Sequence, residues 1–194
     1  IKPGELVVFS GDTGMGKSAF VQNIVAKVDK QTIFLSLEMH EHLTFRRFIQ
    51  IAAGKTEQWV YDQFKADPEI SFEDKLGHIK LMTVAPEIEA IKKVVSLHEP
   101  QILVVDTTDE VHVDRFDGEI QRQNMVIGAL KEIAQKHSII VFAVHHVNKV
   151  SAAGNTISLH SLKGSTNIVQ KADKVLMVKG KRDERARIIC SEKS

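Results

Sequence analysis

The sequence predicts an α/β protein: a mainly parallel, twisted sheet with helices on both faces and a C-terminal antiparallel hairpin. Three observations carry this. Short apolar β-type runs alternate with helical patterns along the chain, as in parallel strands joined by crossover helices. A glycine-rich loop separates the first strand from the first helix. The last two strand-like runs are divided by the charged stretch "KGKRDER", which suits a closing hairpin.

In order, "ELVVFS" (5–10) reads as a strand, and "SAFVQNIVAKV" (18–28) as a helix with apolar residues at 20, 24, 25 and 28. "TIFLSLE" (32–38) is the second strand. "LTFRRFIQIAAG" (43–54) is a helix stopping at Gly54, and 55–77 reads as short, charged helices. "HIKLMTV" (78–84) is a strand, followed by a helix ended by Pro100. "QILVVD" (101–106) is a buried strand, and 107–118 a loop. "EIQRQNMVIGALKEIAQKH" (119–137) is the longest helix, before the strand "SIIVFAVHH" (138–146). A small, polar loop over 148–160 and the hairpin "KVLMV"/"ARIICS" complete the chain.

With 194 residues, 43% hydrophobic and 26% charged, the chain suits one globular domain, residues 1–194. The apolar runs reach five or six residues, too short to span a bilayer, so no membrane partner is expected. There is no charged-then-apolar leader, and the single cysteine, Cys190, cannot form an internal disulfide. Both point to a reducing, cytoplasmic setting. The opening Ile-Lys-Pro suggests an excerpt from a longer protein.

A net charge of +1 predicts no general affinity for nucleic acid, but the charge is unevenly spread. Residues 145–194 hold ten Lys/Arg against four Asp/Glu, net +6. The remainder holds sixteen against twenty-one, net −5. Either a polyanion meets the C-terminal quarter, or that quarter is a solvated basic hairpin.

Residues 11–18 read "GDTGMGKS" and fit the phosphate-loop pattern Gly11-x-x-x-x-Gly16-Lys17-Ser18, placed between a strand and a helix. Glycines let the backbone of Gly11, Asp12, Thr13, Gly14, Met15 and Gly16 wrap phosphate oxygens with its amides. The helix N-terminus adds positive potential. Lys17 reaches the β/γ-phosphates and the Ser18 hydroxyl ligates Mg2+. The strand end "ILVVD" offers Asp106 as the second holder of the Mg2+ shell. Hydrolysis also needs a carboxylate to orient water, and Thr107 and Thr108 follow Asp106 where many such ATPases place a Glu. Glu38, ending "TIFLSLE", is the leading candidate, because strand C-termini converge on the ligand in such sheets. Asp109 and Glu110 are weaker ones.

Together these residues resemble the RecA-like motor domain of hexameric replicative helicases, of the DnaB type and the Twinkle-like phage and mitochondrial primase–helicases. "SLEM" (36–39) matches the family's strand end bearing the catalytic Glu, which supports Glu38. Arg46 and Arg47 resemble the Arg of its next helix. "HHVNK" (145–149) resembles the strand end with a γ-phosphate sensor, placing His146 in that role. Adjacent strand residues face opposite ways, so only one of His145 and His146 can face the nucleotide. "SLKGSTNIVQKAD" (161–173) resembles the segment that lines the central channel, which implies that Lys163, Gly164 and Ser165 touch the DNA backbone. Ser161 and Thr166 depart from the family's Asp and Gly. "SEKS" (191–194) resembles the start of the closing Lys-x-Arg, with Lys193 reaching the γ-phosphate on a neighbouring subunit.

The resemblance implies an ATP-dependent DNA helicase motor using Mg2+ and ATP. Its partners would be single-stranded DNA, further copies of itself in a hexameric ring, and a primase. The rival readings are a recombinase or clock-type RecA-like ATPase, a small-molecule kinase, and a nucleotide-gated binding or loader module.

Overall fold

The computed structural model describes residues 1–114, 117–146, 166–180 and 188–193. β1 (Leu6–Gly11) leads through the glycine-rich loop into α1 (Lys17–Val25). β2 (Thr32–Ser36) is followed by α2 (Glu41–Ala53), α3 (Glu57–Ala66) and the single turn α4 (Glu73–Leu76). Next come β3 (Ile79–Met82), α5 (Ile88–His98), β4 (Ile102–Asp106), a 3-10 turn at Thr108–Glu110 and the long α6 (Glu119–His137). β5 (Ile140–His146), α7 (Thr166–Lys171), β6 (Lys174–Lys179) and β7 (Ile188–Lys193) complete the described elements.

The strands form one seven-stranded sheet in the order β3-β2-β4-β5-β1-β6-β7. All pairings are parallel except β6 with β7, so the expected α/β architecture and closing hairpin are both present. Every residue of β1, β2 and β4 is buried, as a sheet covered on both faces requires. Period-two alternation then splits each strand between two cores. Leu6 and Val8 of β1 join Leu103 and Val105 of β4 against α5, α6 and α7. Val7 and Phe9 join Phe34, Val104 and Phe142 against α1 and α2. Edge-to-face rings lock the second core, Phe9 on Phe142 and Phe34 on Phe48, each with centroids 5.3 Å apart.

Several details differ from expectation, each with a physical reason. β2 stops at Ser36 rather than at 38, because the N–H groups of Leu37 and Glu38 leave the ladder and donate to the Asp106 carbonyl at 2.7 and 3.3 Å. α1 stops at Val25, where Lys27 N–H tightens onto Ile24 O at 3.1 Å, while Val28 still packs on the core. α5 ends in Glu99, left-handed at φ 43°, one residue ahead of Pro100. The loop after β4 contains the 3-10 turn and buries Val111. The expected loop over 148–160 lies outside the described residues.

Candidate functional site

The sheet order places the C-terminal ends of β2, β4, β5 and β1 side by side. Register aligns Ser36, Asp106 and Val144 across β2, β4 and β5, while Gly11 of β1 pairs with His146, two residues further along β5. Four separate segments thus deliver their last residues to one rim, where ligands of open parallel sheets bind.

The phosphate loop needs its glycines. A side chain on Gly11 would put its Cβ 2.5 Å from the Val178 carbonyl oxygen of β6, so β1 and β6 approach closely only because that position is bare. Gly16 takes the left-handed conformation, φ 88°, at the N-cap of α1. Lys17, only 4% exposed, donates from Nζ to the carbonyls of Gly11 and Asp12, both at 2.9 Å. Burial pulls the pKa of this ammonium down, opposed by the surrounding carboxylates of Asp109, Glu38, Asp106 and Asp12.

Ser18 donates its hydroxyl to Asp106 Oδ1 at 2.9 Å. Asp106 is 5% exposed, and desolvation raises its pKa to about 6 despite that hydrogen bond. A buried carboxylate beside a hydroxyl is a hard-oxygen donor pair suited to Mg2+. Among the described residues no group of three or more His, Cys, Asp or Glu side chains is assembled to hold a metal.

Glu38 and His146 face each other at the rim, with Oε2 3.8 Å from Nε2. Both line a cavity of about 480 Å³ whose walls also include Gly14, Lys17, Ser18 and Arg47. His145 points away and is 3% exposed, and burial lowers its pKa. Of the two histidines, His146 is the one that lines the cavity. The two adjacent arginines also separate: Arg46 pairs with Glu57 of α3 at 2.8 Å, whereas Arg47 reaches the cavity and contacts Met39 Sδ at 3.1 Å. Sequence reasoning treated them together, and helix phase was the signal that could have parted them. It also ranked Asp109 low, yet Asp109 lies 3.7 Å from Nδ1 of both histidines. Nothing in the local sequence indicates that the turn after β4 folds back onto β5.

Lys163, Gly164 and Ser165 lie outside the described residues. Lys193 ends β7, and its side chain is likewise not among those described. Among the described residues no helix is long and apolar enough to cross a membrane.

The chain matches the family model of the DnaB-like helicase C terminal domain over residues 1–192. It is 22% identical, over its whole length, to the DNA repair protein RadA of Listeria monocytogenes, covering 37% of that protein. It is 24% identical to the replicative DNA helicase DnaB of Mycoplasma genitalium, with 95% of the chain aligned to 44% of the relative. The chain thus spans less than half the length of these two curated relatives. Among solved structures, one of an isolated ATPase domain superposes with a TM-score of 0.82 at 17% identity, covering 100% of this chain and 78% of that one. A DnaB-like replicative helicase, solved in a study of its interactions with primase, gives 0.81 at 18% identity, over 99% of this chain and 52% of that one. The architecture is therefore that of RecA-like helicase ATPase domains.

Proposed function

Because the chain belongs to the DnaB-like helicase C-terminal domain family, we propose that it is the motor of an ATP-dependent DNA helicase. The observation that carries this reading is that four strand ends lie side by side at one rim, with Lys17, Ser18, Glu38 and His146 lining its cavity and Asp106 hydrogen-bonded to Ser18.

In this reading the amides of residues 11–16 and Lys17 cradle the β- and γ-phosphates of ATP. Ser18 and Asp106 hold Mg2+. The ion, when bound, neutralises charge developing on the phosphate oxygens. Glu38 orients the attacking water. His146, beside Glu38, senses the γ-phosphate. Lys163, Gly164 and Ser165 contact the backbone of single-stranded DNA, and Lys193 acts in a neighbouring copy's site within a hexameric ring. Assembly in a ring would supply the avidity that a net charge of +1 does not. A primase is a further partner consistent with the structural relative solved for that interaction.

The test is ATP turnover by the full-length protein, with and without single-stranded DNA, for wild type, Glu38→Gln and Lys163→Ala. Glu38→Gln is expected to lower turnover by about 100-fold or more while nucleotide still binds. Lys163→Ala is expected to remove only the DNA stimulation. Robust hydrolysis indifferent to DNA would sink the motor reading and leave the ATPase. A second reading, a RecA-like ATPase of DNA repair, is favoured by the whole-chain similarity to RadA. It shares the nucleotide site and predicts DNA-stimulated hydrolysis without duplex unwinding.

A further inference from the structure

Asp109 has no task in the hydrolysis scheme, yet it contacts both histidines at the end of β5. Its position follows from sheet register. β4 ends at Asp106 opposite Val144, whereas β5 runs on to His146. On that side the last two residues of β5 therefore extend past their neighbouring strand, and a main-chain N–H there needs another acceptor. The 3-10 turn at Thr108–Glu110 supplies it. Asp109 Oδ2 accepts the His146 N–H at 2.9 Å. The Thr108 hydroxyl donates to the Val144 carbonyl at 3.2 Å and lies 3.0 Å from His145 Nδ1. The turn thus contacts each of the last three residues of β5.

The same Asp109 oxygen lies 3.7 Å from Nδ1 of His146, while Glu38 lies 3.8 Å from Nε2 on the ring's other side. The imidazole is bracketed by two carboxylates, one on the reactive wall of the cavity and one behind it. A charge-assisted hydrogen bond to the main chain together with a carboxylate behind the ring restricts both the strand end and the ring plane.

We propose that Asp109 is the positioning residue for His146, holding the end of β5 so that the imidazole meets the terminal phosphate of a bound nucleoside triphosphate. The inference rests on reading His146 as the γ-phosphate sensor. Asp109 acts through His146 and not on the nucleotide itself, so its removal costs discrimination between triphosphate and diphosphate more than it costs nucleotide binding as such.

The test measures dissociation constants for ATPγS and for ADP, with Mg2+, on wild type, Asp109→Ala, His146→Ala and the double variant, with thermal melting as a folding control. Wild type is expected to prefer ATPγS. Each single change is expected to cut that preference by about fivefold, the scale of one missing hydrogen bond, with ADP affinity little altered. The double variant is expected to be no worse than His146→Ala alone, the signature of residues acting in series. Asp109→Asn, which keeps an acceptor oxygen for the His146 N–H, is expected to fall between wild type and Asp109→Ala. If Asp109→Ala does not fold, the cycle is run with Asp109→Asn. Effects that multiply in the double variant, or an Asp109 change that leaves the preference intact, overturn the inference while the nucleotide site stands. Absence of all nucleotide binding by wild type would instead overturn the phosphate-loop reading, and this inference with it.

Discussion

Asp106 keeps its carboxylate at 5% exposure, held by a hydrogen bond from Ser18, and burial raises its pKa from 3.8 to about 6. The folded state therefore holds this proton more tightly than the unfolded chain does. Its contribution to stability is full below about pH 4 and is lost as pH rises through 6. Ionising the buried group costs about 3 kcal/mol, at about 1.36 kcal/mol per pKa unit. Asp106→Asn is expected to flatten the metal-free stability profile between pH 4 and 8 and to raise the melting temperature at pH 8. The same change should abolish Mg2+-dependent ATP turnover. Urea denaturation across that pH range checks the first claim, and an unchanged pH slope would count against it. At this scale much of the candidate site was legible: Lys17 and Ser18 follow the glycines at a set spacing, and Asp106 closes an apolar strand. Asp109 stood only as a weaker candidate, because its contacts are with residues 36 and 37 positions away in the chain.

Helix α2 shows how an element divides two adjacent, chemically identical residues. Successive helical positions are about 100° apart, so Arg46 and Arg47 cannot share a direction. Arg46 meets Glu57 in a pair whose side chains are 36% and 62% exposed, an interaction of the kind worth less than about 1 kcal/mol. Arg47 meets the cavity. Arg47→Ala is expected to weaken nucleotide binding by about tenfold, the scale of one charged hydrogen bond, with little change in melting temperature. Arg46→Ala is expected to do neither. Equal effects of the two variants in titration with a fluorescent nucleotide would show that this division has no functional weight. Element identities were readable from periodicity, but their ends were set by partners. β2 stops early because Glu38 N–H finds the Asp106 carbonyl, and that same bond draws Glu38 toward the site.

Across the whole molecule the charge is unevenly divided, net +6 over residues 145–194 against −5 over the remainder. If the basic C-terminal quarter meets single-stranded DNA in a ring, affinity should fall steeply with salt. Lys163→Ala should flatten the slope of log K against log salt by about 0.7 for each phosphate that the lysine neutralises. Fluorescence anisotropy over a salt series measures this, and an unchanged slope would remove Lys163 from the DNA-binding surface. The sequence by itself determined that strands and helices alternate, that "GDTGMGKS" bridges one of each, and that Asp106 ends a strand. Those are local properties: periodicity, glycine placement and residue type at a given offset. Only the tertiary structure decided the strand order β3-β2-β4-β5-β1-β6-β7. That order, and the register that aligns Ser36, Asp106 and Val144 and sets Gly11 beside His146 two residues further along β5, is set by how the two cores pack on either face of the sheet. Packing of this kind is a property of pairs of distant residues. A linear reading can therefore name the side chains of the site, while their meeting at one rim is decided by the sheet.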